Sequence, residues 1–149
     1  MSHRYTATVA WTGSAEDHRS GRYSRAHDWR FDGGAVVRGS SAPPVPGSDP
    51  AAVDPEEALV ASVSACHMLF FLAIARQNGI VVTGYEDEAE GVMTPNAAGK
   101  LYISTVTLRP RLTVEGEADP AVVAECHHRA HDECYIAHSI KADVRVEPR

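Results

Sequence analysis

The chain is poor in cysteine, with three in 149 residues, an odd number set far apart. With no secretion signal in view, a permanent disulfide framework is not expected, and any cysteine chemistry should be catalytic, redox-linked or metal-binding. A glycine-rich phosphate loop, a Gly-x-Ser-x-Gly elbow and a His-Glu-x-x-His helix are all missing. Positive charge is also scarce. Fourteen Lys and Arg stand against twenty Asp and Glu, for a net charge of -6, and the basic residues are scattered. No concentrated positive field exists to hold a phosphate backbone, so nucleic acid is not an expected partner. The longest strongly apolar run, Met68 to Ala75, falls well short of the roughly 18 residues of a membrane span, and the N-terminus has no apolar signal core. A soluble, cytoplasmic protein with no membrane partner is therefore expected. What the chain does have is a 44% hydrophobic composition, enough for one compact domain over residues 1–149 without a disulfide or structural metal.

The first segment, His3 to Trp11, is rich in threonine, valine and aromatics and reads as a strand. Ser14 to Arg25 is charged. Asp28 to Phe31 and Ala35 to Val37 flank Gly33-Gly34 as a hairpin would. Ser40 to Asp54 carries four prolines and reads as a loop. It ends in Asp54-Pro55-Glu56-Glu57, an N-cap aspartate, a proline at the first helical position and a following acid, which starts a helix. Asn78-Gly79 stops that helix near Gln77. Between Glu57 and Arg76 it is apolar on nearly every side, so it is expected in the middle of the structure. Strands are expected over Ile80 to Met93 and Leu101 to Val114, with a turn at Pro95 to Gly99. Asp119-Pro120 starts a second helix whose inward stripe holds Val123, Cys126, Ala130 and Cys134. Ser139 to Val146 alternates as a half-buried strand. The expected class is α+β, with helices on a mostly antiparallel sheet.

Cys66 lies on the apolar helix in a stripe with Leu59, Val63 and Phe70, among the small residues Ser64 and Ala65. Two readings stand. A free cysteine is a common small core residue. A reactive one in an apolar site needs a cation or amide dipole to stabilise its thiolate. Arg19, Arg22, Arg25 and Arg38 are the candidate cations, while Arg76, ten residues along the same helix, points elsewhere. His67, turned about 100° from Cys66, reads as a packing or hydrogen-bonding residue rather than a base.

The segment Asp54-Pro55-Glu56-Glu57-Ala58-Leu59-Val60-Ala61-Ser62-Val63-Ser64-Ala65-Cys66-His67-Met68 resembles the motif that opens the central helix of the OsmC/Ohr family of peroxide-reducing proteins. Ala130-His131-Asp132-Glu133-Cys134-Tyr135-Ile136 is similar to that family's second helix, and the strands over Val82 to Met93 and through Leu108-Arg109-Pro110 extend the likeness over nearly the whole chain. The resemblance implies an OsmC-like α+β fold, an antiparallel sheet packed on two central helices, and an intertwined homodimer with sites at the subunit boundary. It implies that Cys66 is the peroxidatic cysteine, Cys134 the resolving cysteine and Glu56 the acid that orients an arginine. Tyr23-Ser24-Arg25-Ala26-His27 resembles the element carrying that arginine, which favours Arg25 over Arg19, with Arg38 third. The implied substrate is an organic hydroperoxide and the implied reductant a dithiol, of the lipoyl type for instance. Neither metal nor flavin is required. Glu56 and Cys66 are separated by about 15 Å of helical rise, too far for one guanidinium to bridge directly. Either the first helical turn leaves the axis or two chains complete each site.

Two other classes compete. Cys126, His127, His128, His131 and Cys134 crowd one helix and suggest a metal site, although Cys126 and Cys134 would lie about 12 Å apart along the axis. An OsmC-like module that senses oxidants or binds a small molecule without turnover is the other. The acidic cluster Glu86, Asp87, Glu88 and Glu90 reads as a solvated strand edge.

Overall fold

The computed structural model describes residues 2–149. The chain forms two compact units, the first running to Ala58 and the second from Leu59 to Arg149.

In the first unit β1 (Ala7–Ala10), β2 (His27–Phe31) and β3 (Val36–Gly39) form an antiparallel sheet in that order. The β2-β3 hairpin turns through Gly33-Gly34, with Gly34 at φ 88°, a left-handed conformation that glycine adopts freely. The charged stretch after Trp11 holds a helix that its sequence pattern does not announce, α1 (Ala15–Ser20). No residue of α1 is buried, so its ends rather than an apolar face make it. Ser14 Oγ accepts the Asp17 amide at 3.0 Å, and Gly21 closes it at φ 73°.

The long helix α2 (Pro55–Gln77) begins and ends where its sequence signals place it. Asp54 Oδ1 accepts the Glu57 amide at 2.8 Å and Glu57 Oε2 accepts the Asp54 amide at 3.2 Å, a reciprocal capping box. Two expectations about α2 need correction. Its apolar composition predicts cover on nearly every side, yet within one chain the buried residues Val63, His67, Phe71, Ile74 and Ala75 form a single stripe. Ala61, Ala65, Leu69 and Ala73, four residues apart, stay exposed, because the strands and the second long helix reach only one side. By length and composition α2 is also long and apolar enough to cross a bilayer. Counting only the uninterrupted run from Met68 misses this, since serines and a histidine break the apolar sequence without making it polar.

The second unit holds two further sheets. β4 (Val81–Asp87) pairs antiparallel with β7 (Pro110–Glu115), while β5 (Glu90–Pro95) pairs antiparallel with β6 (Leu101–Leu108), which pairs in parallel with β8 (Asp143–Val146). The two long strands expected from the sequence are thus each broken in two, and at the same level. Pro110, opposite Asp87, has no amide to give the ladder. Asp87 Oδ1 instead accepts the Arg109 amide at 2.5 Å, which fixes the bend. The α+β class stands, with the strands divided over three sheets.

α3 (Pro120–Glu133) starts at Asp119, whose Oδ1 accepts the Ala121 amide at 2.8 Å. A short helix, α4 (Tyr135–Ser139), follows it directly. Phe71, Ile74, Ala75, Ile80, Cys126 and Ala130 form one core, against Val82, Tyr85, Leu112 and Val114 of β4 and β7. Val63, Val106 and Leu108 form a second, against Ile140, Ala142, Val144 and Val146. The inward alternation expected for the last segment is therefore present.

Candidate functional site

Cys66 sits midway along α2 and is half-buried, whereas Cys134, between α3 and α4, is 1% exposed. The two thiols are close enough that Cys66 raises the proton affinity of Cys134. Sequence periodicity explains half of this arrangement. Cys126, Ala130 and Cys134 recur every four residues on the buried stripe of α3, so the capped helix carries Cys134 inward. The backbone then leaves the helical region at Cys134, φ -68° and ψ 105°, and restarts as α4. Burial pushes the Cys134 thiol up to about 11, and the Cys66 sulfur pushes it the same way. The amides of Ala137 and Ile136 at the start of α4 act in the opposite direction, although no capping hydrogen bond is formed.

Phe70, one turn beyond Cys66, meets the Tyr135 ring edge-on at 5.0 Å and 88°. An aromatic pair therefore stands one turn from one cysteine and beside the other. Phe71 faces away from it, stacked on His127 at 4.0 Å, and Leu69 is 64% exposed.

On the buried side of α2, His67 Nε2 lies 3.1 Å from His127 Nδ1, with the rings parallel to within 3°. Burial holds both imidazoles down at about 4, and each is a poor neighbour for a second positive charge. Asp87, on the bend between β4 and β5, accepts from Ser64 Oγ at 2.5 Å as well as from the Arg109 amide. The acidic cluster is thus not merely a solvated edge. Asp87 ties a strand bend to the helix that carries Cys66, Glu90 pairs with Arg109 at 3.0 Å and Glu88 with Arg149 at 2.6 Å.

The other expected site residues lie in the first unit. Arg25 Nε donates to the Pro46 carbonyl at 3.1 Å, and its guanidinium carbon stands 5.3 Å from the centre of the Tyr23 ring. It makes no ion pair among the described residues. Arg38 is engaged by Asp28 at 3.0 Å. Arg19 and Arg22 are exposed on and just after α1. Glu56, half-buried on the first turn of α2, makes no ion pair or side-chain hydrogen bond among the described residues, so Arg25 and Glu56 are not joined here.

The OsmC-like protein family model matches residues 47–149, more than half of the chain. The chain belongs to the OsmC-like family. It is similar to an OsmC-like protein of unknown function from Vibrio cholerae, at 40% identity and a TM-score of 0.94 over 99% of this chain and 100% of that one. At 21% identity it shares the fold of the organic hydroperoxide resistance protein OhrB of Bacillus subtilis, with a TM-score of 0.70 over 97% of this chain and 98% of that one. An organic hydroperoxide resistance protein from Elizabethkingia anophelis likewise shares the fold, at 17% identity and a TM-score of 0.70, over 99% and 96% of the two chains. No curated protein matches significantly.

In this OsmC-like chain the crowded cysteines and histidines of α3 are directed to different places. Cys126 lies in the Phe71 core, His127 bonds His67, and Cys134 meets Cys66. Among the described residues, no three His, Cys, Asp or Glu side chains gather to hold a metal ion. The His67-His127 contact and the inward turn of Asp87 escape sequence reasoning. Only the placement of His67 within an otherwise apolar helix signals that it needs a buried partner.

Proposed function

We propose that this OsmC-like protein is a cysteine peroxidase that reduces organic hydroperoxides to alcohols. One observation carries the reading: two cysteines distant in sequence are brought close enough for one thiol to act on the other, one half-exposed to a reactant and the other buried. The Cys66 thiolate attacks the outer peroxide oxygen and the O–O bond breaks. The alkoxide takes up a proton and leaves as an alcohol, while Cys66 becomes a sulfenic acid. Cys134 sulfur then displaces the sulfenic oxygen as water, forming the Cys66-Cys134 disulfide. A dithiol reduces that disulfide by exchange and is itself oxidised to a disulfide. The Phe70-Tyr135 pair gives the thiols an apolar neighbour suited to an alkyl group rather than to hydrogen peroxide.

Arg25 is the guanidinium that would steady the thiolate and the leaving alkoxide, and Glu56 the acid that would fix its plane. Neither has a charged partner within the described chain, and α2 leaves an apolar face of Ala61, Ala65, Leu69 and Ala73 exposed. Both facts support a homodimer in which a second copy covers this face and completes the site.

Intact-mass analysis after one equivalent of an alkyl hydroperoxide tests the chemistry. The reduced protein should lose two hydrogens and yield a Cys66-Cys134 linked peptide. Cys134→Ser should gain one oxygen, and Cys66→Ser should not react. A peroxide-treated protein of unchanged mass refutes the proposal. A disulfide that no dithiol reopens would instead favour oxidant sensing without turnover.

A further inference from the structure

A pocket of about 360 Å³ opens within the first unit, and Val9, Trp11, His18, Tyr23, Arg25 and His27 are among the residues that line it. Small-molecule sites usually measure about 300–1,000 Å³. Three of the lining rings form one cluster. Trp11 meets Tyr23 edge-on at 5.7 Å and 77°, and His18 lies 5.1 Å from Tyr23 and 6.1 Å from Trp11. The indole is held at both ends: Nε1 donates to the Ser24 carbonyl at 2.8 Å, and the six-membered ring lies against Gly13, where a Cβ would come within 2.5 Å of it. Trp11 is nonetheless 41% exposed. A rigid aromatic surface left open to solvent loses little entropy when another ring packs on it.

Arg25 supplies the charge. Its backbone amide donates to the Gly47 carbonyl at 2.9 Å and its Nε to the Pro46 carbonyl at 3.1 Å, so the side chain is anchored along its length, with the guanidinium carbon 5.3 Å from the centre of the Tyr23 ring. Its two terminal nitrogens make no hydrogen bond or ion pair among the described residues, and no carboxylate lines the pocket. His27 donates Nδ1–H to the Arg25 carbonyl at 2.8 Å and aims Nε2 at Gly39, where a Cβ would stand 2.7 Å away. A cation is repelled by this lining, and a neutral ligand leaves the guanidinium unused. A dianion brings a second charge with no second Lys or Arg in the lining to offset it. A carboxylate has one charge and two oxygens, which the two terminal nitrogens meet as a fork. We propose that this pocket binds a small aromatic monocarboxylate, its carboxylate on the Arg25 terminal nitrogens and its ring against Trp11 and Tyr23. Arg25 is also the guanidinium of the proposed peroxidase, but the carboxylate site needs no thiol, so its test stands apart from that reading.

The test uses Cys66→Ser protein at pH 7.5 and follows the Trp11 indole and Arg25 guanidinium N–H signals by NMR during titration with benzoate. Benzamide keeps the ring without the charge, and cyclohexanecarboxylate keeps the charge without the aromatic ring. Benzoate should shift both residues saturably. It should bind about tenfold or more tightly than benzamide, the value of a charge-assisted pair, and about threefold or more tightly than cyclohexanecarboxylate, the value of an aromatic contact. Arg25→Gln should erase the preference for benzoate over benzamide, and Trp11→Leu the preference for benzoate over cyclohexanecarboxylate. Arg38→Gln, at an arginine of the same unit that Asp28 already engages, should change neither. Benzamide or cyclohexanecarboxylate binding as tightly as benzoate overturns the proposal. So does folded Arg25→Gln protein that keeps the preference for benzoate over benzamide, or the absence of a saturable shift in folded protein.

Discussion

Acidification should unfold this protein through the buried imidazole pair. His67 and His127 are 0% and 3% exposed and each is held near 4, against 6.5 for a free histidine. Between those values the unfolded chain binds protons that the native state refuses. The pair's contribution to stability is therefore complete above about pH 6.5 and is lost as pH falls toward 4. At about 1.4 kcal/mol per tenfold change in proton affinity, the two histidines together remove roughly 5 kcal/mol by pH 4.5. A domain of this size has a total stability of about 5–15 kcal/mol. Urea unfolding followed by circular dichroism at pH 7.5, 6.0, 5.0 and 4.5, at fixed protein concentration, should show the midpoint dropping most steeply below pH 6.

The matched control is His67→Leu with His127→Phe, which removes both partners and leaves no unpaired polar atom. Its midpoint should change little between pH 7.5 and 4.5, although six histidines remain. Wild-type stability at pH 4.5 within about 1 kcal/mol of its value at pH 7.5 refutes the reasoning. An equally steep acid loss in the double variant does so too, because it would move the cause to other groups.

Four further outcomes are expected. Disulfide formation by the Cys66 sulfenic acid should accelerate about tenfold per pH unit between pH 7 and 9, since burial, the larger cause, still pushes the Cys134 thiol up after Cys66 is oxidised; stopped-flow fluorescence checks this. Arg25→Gln should lower peroxide kcat/KM by about a hundredfold or more, while Arg38→Gln, which breaks only the exposed Asp28 pair, should leave it within about twofold in a coupled peroxidase assay. Asp54→Ala removes the side-chain arm of the α2 capping box and should cost about 1 kcal/mol in urea unfolding at pH 7.5. Asp87→Ala strands the Ser64 hydroxyl and the Arg109 amide and should cost about 2–4 kcal/mol by the same measurement.

Elements with local causes are legible in the sequence. Asp54-Pro55 and Asn78-Gly79 bound α2 because capping is settled within four residues, and Asp119-Pro120 places α3 for the same reason. The α3 stripe predicts that Cys134 points inward. The bend shared by the β4-β7 and β5-β6 pairs is different, because Asp87 fixes it through Arg109, twenty-two residues away. α1 is missed because its charged residues have no apolar period, and only its caps define it. In the site, the sequence marks the two thiols but cannot show that His67 is paired with His127, sixty residues distant. The arginines are ranked only by the resemblance of the segment Tyr23 to His27; their surroundings, Arg38 engaged by Asp28 and Arg25 on the Tyr23 ring, depend on contacts that the sequence does not display.

Comparison of the two buried cysteines shows what burial alone decides and what it does not. Cys126 and Cys134 are each 1% exposed, lie on the same stripe of α3 and have thiols pushed upward by desolvation. By that measure both are core residues, and neither is a nucleophile near neutrality. Their surroundings differ in one respect. Cys126 belongs to the core cluster of Phe71, Ile74 and Ala130, whereas Cys134 stands at a break between helices where Cys66 acts on its thiol. A resolving cysteine does not need to attack from bulk solvent. It needs to be held against one sulfur and protected from every other oxidant, and a high proton affinity in a closed site serves both. On the proposed function, Cys134 would react only once Cys66 has been oxidised, and its burial would then be the reason for its selectivity.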